Sequence, residues 1–535
     1  MFRANDGHNQ QALLDSTTWM DPRIREKLAM SWAPFFYEHV FRKIDEEPFA
    51  ILYGTTGKPN FPVNILLSLE YIKHMKDCSD LEILDAYNFD YLVNYAVGNR
   101  TLGELNLGER TIYNFRERVY KYCIDNPDKD DILFGQFIKL TRGFAAIAGI
   151  SFSEQRTDTT QFMSNIKKAG RLSLAYDVLV KATNAIPEIE RTEELAKVLD
   201  KKFKTDVLYR SKAQEADGKL AALLNLCQEA LNILEANAIL HESEAARITR
   251  RFLSEQAEID KETGKLVPRS NKEISAGSLQ SAYDEDATYR KKGNTGQSGY
   301  TLELSETCGK DNPFQLLTDH AVKPNIVNDA DILKDRLGKI NTNTGCDDMY
   351  VDGAFHAESV HQAADENNIE IHLTNMTGTE PSKKLPATVF EIDEETNIII
   401  KCPAGYEPTR ASVSKGQSCA HFPHEACANC KFREQCYSKE LAKDCVVRIN
   451  LKTIKAGRER ETMKAEQKEN TSKRAGIEGS NSSMKRKGQG KLRVRGIHKC
   501  KVVSGLKAAA QNIKRFIKYL RGGYKPKKQI CPQCG

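Results

Sequence analysis

Three acidic residues that lie far apart in the chain occupy positions that suit metal binding. Asp158 lies in the β-like run RTDTTQF, where an acidic side chain is disfavoured unless a partner compensates for it. Asp352 follows the apolar run 349–351 and precedes a glycine, which predicts that it ends a buried strand, where ligands gather in open α/β sheets. Glu478 lies in a segment predicted to be helical. Taken singly, each aspartate fits a turn or a helix cap better than it fits catalysis.

Carboxylates that converge from distant parts of a chain are suited to phosphoryl transfer in nucleic acid. That reaction uses two divalent ions roughly 3.5 to 4 Å apart, one activating the nucleophile and one stabilising the leaving oxygen. Magnesium keeps several of its waters and takes only a few carboxylate ligands. Asp158, Asp352 and Glu478 would therefore be enough to hold Mg²⁺ or Mn²⁺ if the fold brought them together.

Two cations flank Glu478 at helical spacing. Arg474 lies four residues before it and Lys485 seven residues after it. On a helix these offsets bring the three side chains to within about 40° of one another on one face. A carboxylate between two cations would combine a metal ligand with phosphate clamps. The alternative is an exposed charged helix with incidental ion pairs.

Cysteine usage points to a second kind of metal site. Six of the 14 cysteines fall between Cys402 and Cys445, in a stretch predicted to be β-rich. Thiolates clustered in this way are the ligands of structural zinc sites, which stabilise small folds that have little core of their own. The predicted zinc ligands are Cys402, Cys427, Cys430 and Cys436.

Other ligand sets remain open for the cysteine-rich stretch. Cys419 could replace Cys402, His421 or His424 could replace one thiolate, and ordinary free cysteines are the alternative to zinc altogether. A further C-x-x-C pair, Cys531 and Cys534, forms half a site near the C-terminus. A second zinc there would need ligands from elsewhere, with Cys500 or His498 only as guesses.

Charge is distributed unevenly along the chain. The formal net charge is +6, but residues 451–535 hold 24 lysines and arginines against five glutamates and no aspartate, a net charge of +19. The first 450 residues therefore carry a net charge of −13. A concentrated basic segment is the footprint expected for a partner with a phosphate backbone, because each neutralised phosphate releases counterions. The alternative is a solvated, disordered basic tail.

The segments around these residues predict an α/β protein. Periodicity indicates a strand carrying Asp158 and then, after a helical stretch, the order β, β, α, β, α, β, which is typical of a mixed sheet with helices packed on it. Residues 1–145 are predicted to form a helical N-terminal domain, which is either a DNA-binding module or a packing and dimerisation domain. The other predicted parts are a core at 146–171 and 286–384, a helical insertion at 172–285, a Cys-rich β insertion at 385–451, and a C-terminal helix with a basic tail at 452–535.

The sequence contains no membrane-spanning stretch and no secretory signal. No segment approaches the roughly 18 to 20 continuous apolar residues that a membrane helix needs, and the first residues, MFRANDGHNQQ, lack an apolar core. We therefore expect a cytoplasmic protein without a membrane partner.

The residues around Glu478 resemble the signature of a known family. The chain is similar to bacterial insertion-sequence transposases of the DDE class, which have a ribonuclease H-like catalytic domain, and specifically to those with a Tyr-Arg-Glu-Lys signature. In that signature two residues separate Tyr from Arg, three separate Arg from Glu, and six separate Glu from Lys. Arg474, Glu478 and Lys485 fit the last three places, and Thr471 occupies the tyrosine position. The tyrosine's role at the cleaved DNA end, and the associated hairpin step, are therefore unassigned.

The resemblance extends over most of the chain except the helical block at about 172–285. RTDTTQFMSNIKK resembles the segment around the family's first aspartate, with Asn165 in the usual following position, and YVDGAFHAES resembles that around the second. KLRVRGIHKCKVV resembles the family's basic segment, and the helical N-terminal domain resembles its usual leader.

The resemblance implies a fold, an activity and residue roles. It implies a ribonuclease H-like catalytic core in which Asp158, Asp352 and Glu478 bind two Mg²⁺ or Mn²⁺ ions. Arg474 and Lys485 would contact phosphates near the scissile bond. Arg493 and Arg495 lie in the basic segment and would bind DNA.

It also implies partners and a cellular setting. The DNA would be double-stranded, namely the terminal inverted repeats and the target, and the protein would act at the nucleoid as a homodimer, because two ends must be processed together. The alternatives are an inactivated relative that still binds DNA, and a metal-dependent nuclease that does not join ends.

Overall fold

The computed structural model describes residues 1–7, 15–103, 105–127, 129, 132–209, 215–292, 295–375 and 384–522. The chain divides into two compact units, which are described separately below. Unit 1 comprises Met1–Cys346 together with the chain from Ile477 onwards, and unit 2 comprises Asp347–Gly476. Within the described ranges, no helix is both long enough and apolar enough to cross a membrane.

Unit 1 begins with a group of helices whose apolar residues recur at helical spacing. In the helix Glu109–Asp125, for example, Ile112, Phe115, Val119 and Cys123 are the buried residues, so one stripe faces the core. The helices of this group are α1 (Pro22–Ala29), α2 (Trp32–His39), α3 (Val63–Lys76), α4 (Asp80–Phe89), α5 (Tyr91–Ala96), α6 (Glu109–Asp125) and α7 (Ile132–Ala148).

A strand and a second helical group follow. The elements are β1 (Glu154–Phe162), α8 (Arg171–Ala185), α9 (Glu193–Val198), α10 (Lys201–Leu208), α11 (Ala216–Ala236), α12 (Glu244–Gln256), β2 (Ala257–Ile259) and β3 (Leu266–Pro268). Helices α8, α11 and α12 pack around a hydrophobic cluster of their own, which includes Leu179, Leu224 and Phe252. This cluster is separate from the one that joins α2–α7 to the rest of unit 1.

An antiparallel sheet forms the centre of unit 1. Its later elements are β4 (Thr288–Lys292), β5 (Thr295–Thr307), β6 (Leu317–Pro324) and α13 (Asp329–Thr344). The long strand β5 pairs with β1, β4 and β6, and Asp158 of β1 lies opposite Leu304 of β5. Gly299 permits the close approach of β5 to β1, because a Cβ there would lie 2.2 Å from the carbonyl oxygen of Phe162.

Unit 2 contains a parallel strand pair and a small antiparallel sheet. Its elements are β7 (Asp348–Val351), α14 (Glu358–Glu366), β8 (Glu370–Leu373), β9 (Glu391–Ile392), β10 (Ile399–Lys401), β11 (Arg410–Ser414), β12 (Gln417–Phe422), α15 (His424–Ala428), β13 (Ser438–Glu440) and β14 (Cys445–Asn450). Strands β7 and β8 are parallel, and the sheet has the order β11-β12-β14-β13. Phe422, Val447 and Ile449 contribute to a buried cluster beneath this sheet.

The last described residues of the chain include two long helices. Helix α16 (Leu451–Met484) contains the division between the units, and a wide π turn at Lys485–Gln489 precedes α17 (Ile497–Leu520). Within unit 1, α17 packs against α3, α7 and β6. Phe516 of α17 stacks on Phe144 with ring centroids 4.3 Å apart, so α17 is part of the unit 1 core.

The predicted α/β class is confirmed, because helices accompany both antiparallel and parallel strand pairs. The ribonuclease H-like assignment, the Cys-rich insertion and the five predicted segment boundaries stay predictions. The C-x-x-C pair Cys531 and Cys534 lies outside the described residues.

Candidate active site

Asp158 is held in the middle of strand β1 by a contact with helix α16. The strand forms because β-branched and aromatic residues, which favour strands, are concentrated in RTDTTQF, and the Asp158 side chain is half-buried. Its Oδ2 accepts a hydrogen bond from Nδ2 of Asn481 at 3.1 Å. The other amide atom, Oδ1 of Asn481, is buried and has no hydrogen-bond partner in the part of the chain that the structure describes. A polar oxygen therefore lies beside the carboxylate with its lone pairs unused.

Glu478 lies on the same helix, three residues before Asn481. Side chains three apart on a helix are neighbours, with Cβ atoms roughly 5 to 6 Å apart. Ile477, Ser480 and Asn481 form the buried side of the helix here, and Glu478 stands exposed at its edge. Unit 1 therefore brings Asp158 and Glu478 to one region through Asn481.

A buried carboxylate joins the elements that carry these two acids. Glu306 of β5 has no exposed side-chain surface. It accepts hydrogen bonds from Arg156 Nε of β1 at 2.9 Å, from Arg515 Nη1 of α17 at 2.6 Å and from the Ser480 hydroxyl of α16. Arg156 and Ser480 are each two residues from one of the acids, so Glu306 fixes β1 and α16 against each other.

The electrostatics of Glu306 are dominated by its two arginines. Burial would raise the pKa of its carboxyl, but the guanidinium groups of Arg515 and Arg156 outweigh burial and hold the pKa below its usual range. Glu306 is therefore ionised, and it is held by charge-assisted hydrogen bonds, which are the strong ones in proteins.

Asp352 belongs to unit 2, where it ends strand β7 as the sequence predicts. Its Oδ1 accepts a hydrogen bond from the backbone N–H of Ala354 at 2.9 Å and so caps the short 3-10 helix Gly353–Phe355. Its Oδ2 lies 3.4 Å from Nη2 of Arg474. Unit 2 therefore brings together an acid and a cation that the sequence assigned to one site, although 122 positions separate them.

The predicted DNA-binding cations differ in their surroundings. Lys485 is exposed and is the first residue of the π turn, directly after α16. The non-helical backbone begins after it, at Lys487 and at Gly488, whose φ is +78°. That Lys485 continues the helix face of Glu478 therefore stays a prediction. Arg493 and Arg495 are also exposed. Arg495 donates from Nε to the carbonyl of Asn165 at 2.8 Å and lies over the Tyr283 ring.

The four predicted zinc ligands line a single small cavity of unit 2. Cys402, Cys427, Cys430 and Cys436 surround a space of about 20 Å³ together with Phe422 and Arg433. A space of roughly 10 to 15 Å³ is the least that holds a water-sized body, so this one has room for an ion. Four thiols are a donor set that zinc prefers, but among the described residues no three of these thiols lie within 4.8 Å of one another.

Burial acts on one of these thiols, that of Cys427. Burial and then the neighbouring Cys445 raise the pKa of Cys427 to about 12. The thiol is therefore protonated near neutral pH unless a cation holds it as the thiolate. Cys445 contacts His424 and Arg433 and was not among the predicted ligands.

The alternative ligands do not line the cavity. His421 pairs instead with Asp444, with Nδ1 and Oδ2 2.8 Å apart, and Cys419 lies on β12 opposite Arg448. Cys500 is fully buried in α17. Of the predicted and alternative ligands, only the predicted set therefore surrounds a common space.

Sequence reasoning missed Asn481, Glu306, Arg515 and Ser480. The one local indication was Glu306 itself, since a glutamate inside the strand TLELSET is unfavourable unless it is paired. Its partners lie 150 and 209 positions away, and no spacing rule reaches across such separations.

Comparison with known proteins gives one match. Residues 401–517 match the family described as "Transposase DDE domain", a range that includes Glu478 and the flanking Arg474 and Lys485. No curated protein and no solved structure matches the chain. The match supports the DDE transposase class and, with it, an enzyme that acts on DNA and uses divalent metal ions.

Proposed function

We propose that this protein is a transposase that cleaves the ends of an insertion sequence and joins them to target DNA by transesterification, without a covalent enzyme intermediate. The family match over residues 401–517 carries the proposal, because it spans the helix that contains Glu478. The hydrogen bond from Asn481 of that helix to Asp158 supports it further.

In this proposal Asp158, Asp352 and Glu478 bind the divalent ions. The set consists of hard carboxylate oxygens, which suit Mg²⁺ or Mn²⁺, and the partnerless Oδ1 of Asn481 adds a neutral oxygen beside Asp158. Bound ions would supply activation of the nucleophile and stabilisation of the leaving oxygen. Glu306 holds the strand of Asp158 and the helix of Glu478 against each other through its hydrogen bonds with Arg156 and Ser480.

The cations act on the DNA. Arg474 and Lys485 contact phosphates near the scissile bond, and Arg493 and Arg495 bind the backbone of the double-stranded terminal repeats or of the target. Before DNA binds, Arg474 is paired with Asp352, which keeps the guanidinium oriented. Two protein copies process the two ends together, so the active assembly is a homodimer.

The proposal is tested with DNA ends taken from the flanks of the gene, where short inverted repeats are expected. With Mg²⁺, the purified protein should cut such duplexes at their 3′ ends and join them to a second duplex, and a chelator should abolish both products. Nicked product that is never joined would instead identify a nuclease. Metal-independent binding without cleavage under any divalent ion would identify an inactive relative.

We further propose that Cys402, Cys427, Cys430 and Cys436 hold a structural Zn²⁺. Protein purified under reducing conditions should contain one zinc per chain at this site, and substituted cobalt should give a thiolate charge-transfer band. Cys427→Ser should lose the band and one metal equivalent.

Cys419→Ser is the matched control, because this cysteine belongs to the same β-rich stretch but does not line the cavity. It should keep the metal and the band. Equal zinc contents in the Cys427→Ser, Cys419→Ser and parent proteins would exclude the proposed site.

A further inference from the structure

Two histidines and a glutamate of unit 2 form a cluster that the proposed reaction does not use. His356 follows the 3-10 helix after Asp352, His361 lies on α14, and Glu459 lies on α16. One ligand atom of each residue lies within 4.8 Å of the ligand atoms of the other two. All three side chains are half-buried, so the cluster is neither a solvated surface group nor part of the apolar core.

One nitrogen in this cluster is buried and unused. Nε2 of His361 has no exposed surface and, among the described residues, no hydrogen-bond partner. In the same cluster, His356 Nε2 and Glu459 Oε2 lie 2.9 Å apart, and the two imidazole rings meet edge to face with centroids 5.7 Å apart. A buried polar atom without a partner costs free energy, so in native proteins such an atom calls for a specific explanation.

The charge states suit a cation. Burial lowers the pKa of His361, so its imidazole is neutral near pH 7. The hydrogen bond from His356 holds the pKa of Glu459 below its usual range, so that carboxyl is ionised. Neutral imidazole and carboxylate are the forms that bind metal ions.

We propose that His356, His361 and Glu459 bind a divalent transition-metal ion, with Zn²⁺ as the preferred ion, at a site separate from the catalytic carboxylates and from the cysteines. Imidazole ligands favour zinc and its neighbours over magnesium, and two histidines with one glutamate are an established zinc donor set. Three protein ligands leave a fourth position for water. The inference holds whether or not the protein is a transposase.

Such an ion would stabilise the segment that follows Asp352. It would tie residues 356–361 to α16 within unit 2, where Arg474 of the same helix already contacts Asp352. A second group of this kind among the described residues, Asp348, Glu370 and His372, gives no comparable argument. There, His372 is satisfied by Asp348 at 2.7 Å and stacks on Tyr350, and Glu370 is exposed.

The test measures the metal content of the full-length protein after it has been treated with a chelator and then dialysed against Zn²⁺. Excess Mg²⁺ is present during dialysis because it occupies the carboxylate sites. Glu459→Gln and His361→Gln should each bind one zinc per chain fewer than the parent. When cobalt is substituted for zinc, the Cys427→Ser protein should keep an absorption that has no thiolate charge-transfer component. Glu459→Gln and His361→Gln should each lose that absorption.

Glu461→Gln is the matched control, since it changes an exposed glutamate on the same helix outside the cluster. It should bind zinc as the parent does. Unchanged zinc content in the Glu459→Gln and His361→Gln proteins, or an equal loss in Glu461→Gln, would overturn the proposal.

A second measurement needs no variant and so avoids any effect of substitution on folding. Adding Zn²⁺ to the chelator-treated parent should slow amide hydrogen exchange in residues 356–366 and in the first half of α16. An exchange pattern in these segments that zinc leaves unchanged would likewise overturn the proposal.

Discussion

Asp352→Asn is expected to reduce DNA cleavage and joining by about 1,000-fold or more, because an amide is a poor ligand for the catalytic ions. Asparagine keeps the shape of the side chain and its carbonyl can still cap Ala354, so the fold of this region should be preserved. Binding of end DNA should remain, since the substitution removes a negative charge beside Arg474. The measurement is single-turnover cleavage and strand transfer in Mg²⁺, with DNA binding followed separately.

Asp347→Asn is the matched control for this prediction. Asp347 is exposed and lies five residues earlier in the same unit, and its replacement by asparagine makes the same change in net charge. It should retain the cleavage rate of the parent. An Asp352→Asn protein that joined ends as fast as the parent would show that this carboxylate is not a catalytic ligand.

Glu306→Ala is expected to destabilise unit 1 by about 3 to 5 kcal/mol, the range found when one partner of a buried ion pair is removed. The loss leaves the guanidinium groups of the buried Arg156 and the half-buried Arg515 without their carboxylate. It also releases β1 from α16, so cleavage should fall together with stability. Urea unfolding followed by circular dichroism, at several pH values, measures the effect.

The pH dependence of this contribution has a definite sign. The folded pKa of Glu306 lies below its unfolded value of roughly 4.3, so the folded state holds fewer protons between the two values. The stabilisation is therefore present above the unfolded pKa and is lost as the pH falls through the folded pKa. Glu306→Gln should remove this acid-side loss.

Glu303 provides a matched control on the same strand with the opposite sign. It is equally buried, its two carboxylate oxygens have no hydrogen-bond partner within the described ranges, and burial followed by the nearby Asp319 raises its pKa well above the usual range. A raised folded pKa makes stability fall as the pH rises from the unfolded pKa towards the folded one. Glu303→Gln should therefore be neutral or stabilising near pH 8. If Glu303→Gln and Glu306→Gln destabilised the protein to the same extent, Glu306 would not be the carboxylate that stabilises unit 1 by pairing with its two arginines.

The local parts of the fold could be predicted from the sequence. The β-like run around Asp158 and the alternation that begins at Tyr300 predicted β1 and β5, and the apolar run before Asp352 predicted the strand that it ends. The four-residue offset of Arg474 and Glu478 agrees with a helix that the structure contains. These features follow from side-chain periods of two and 3.6, which a chain expresses over a few neighbouring residues.

The cysteine set shows how far local chemistry reaches. Residue type and clustering selected Cys402, Cys427, Cys430 and Cys436, and these four line one cavity. Spacing could not choose among these, Cys419 and His421, because the choice depends on how β12 pairs and on Asp444 binding His421.

What the sequence itself determined is the type of each element, the segregation of positive charge towards the C-terminus and the residues chemically able to bind metal. What the tertiary structure alone decided is which of them meet: Asn481 with Asp158, Asp352 with Arg474, Glu306 with two arginines, and His361 with Glu459. The physical reason is range. Secondary structure is set by hydrogen bonds and burial within a few residues, whereas these pairs form only after packing has closed loops of about 100 residues or more, which no local pattern encodes.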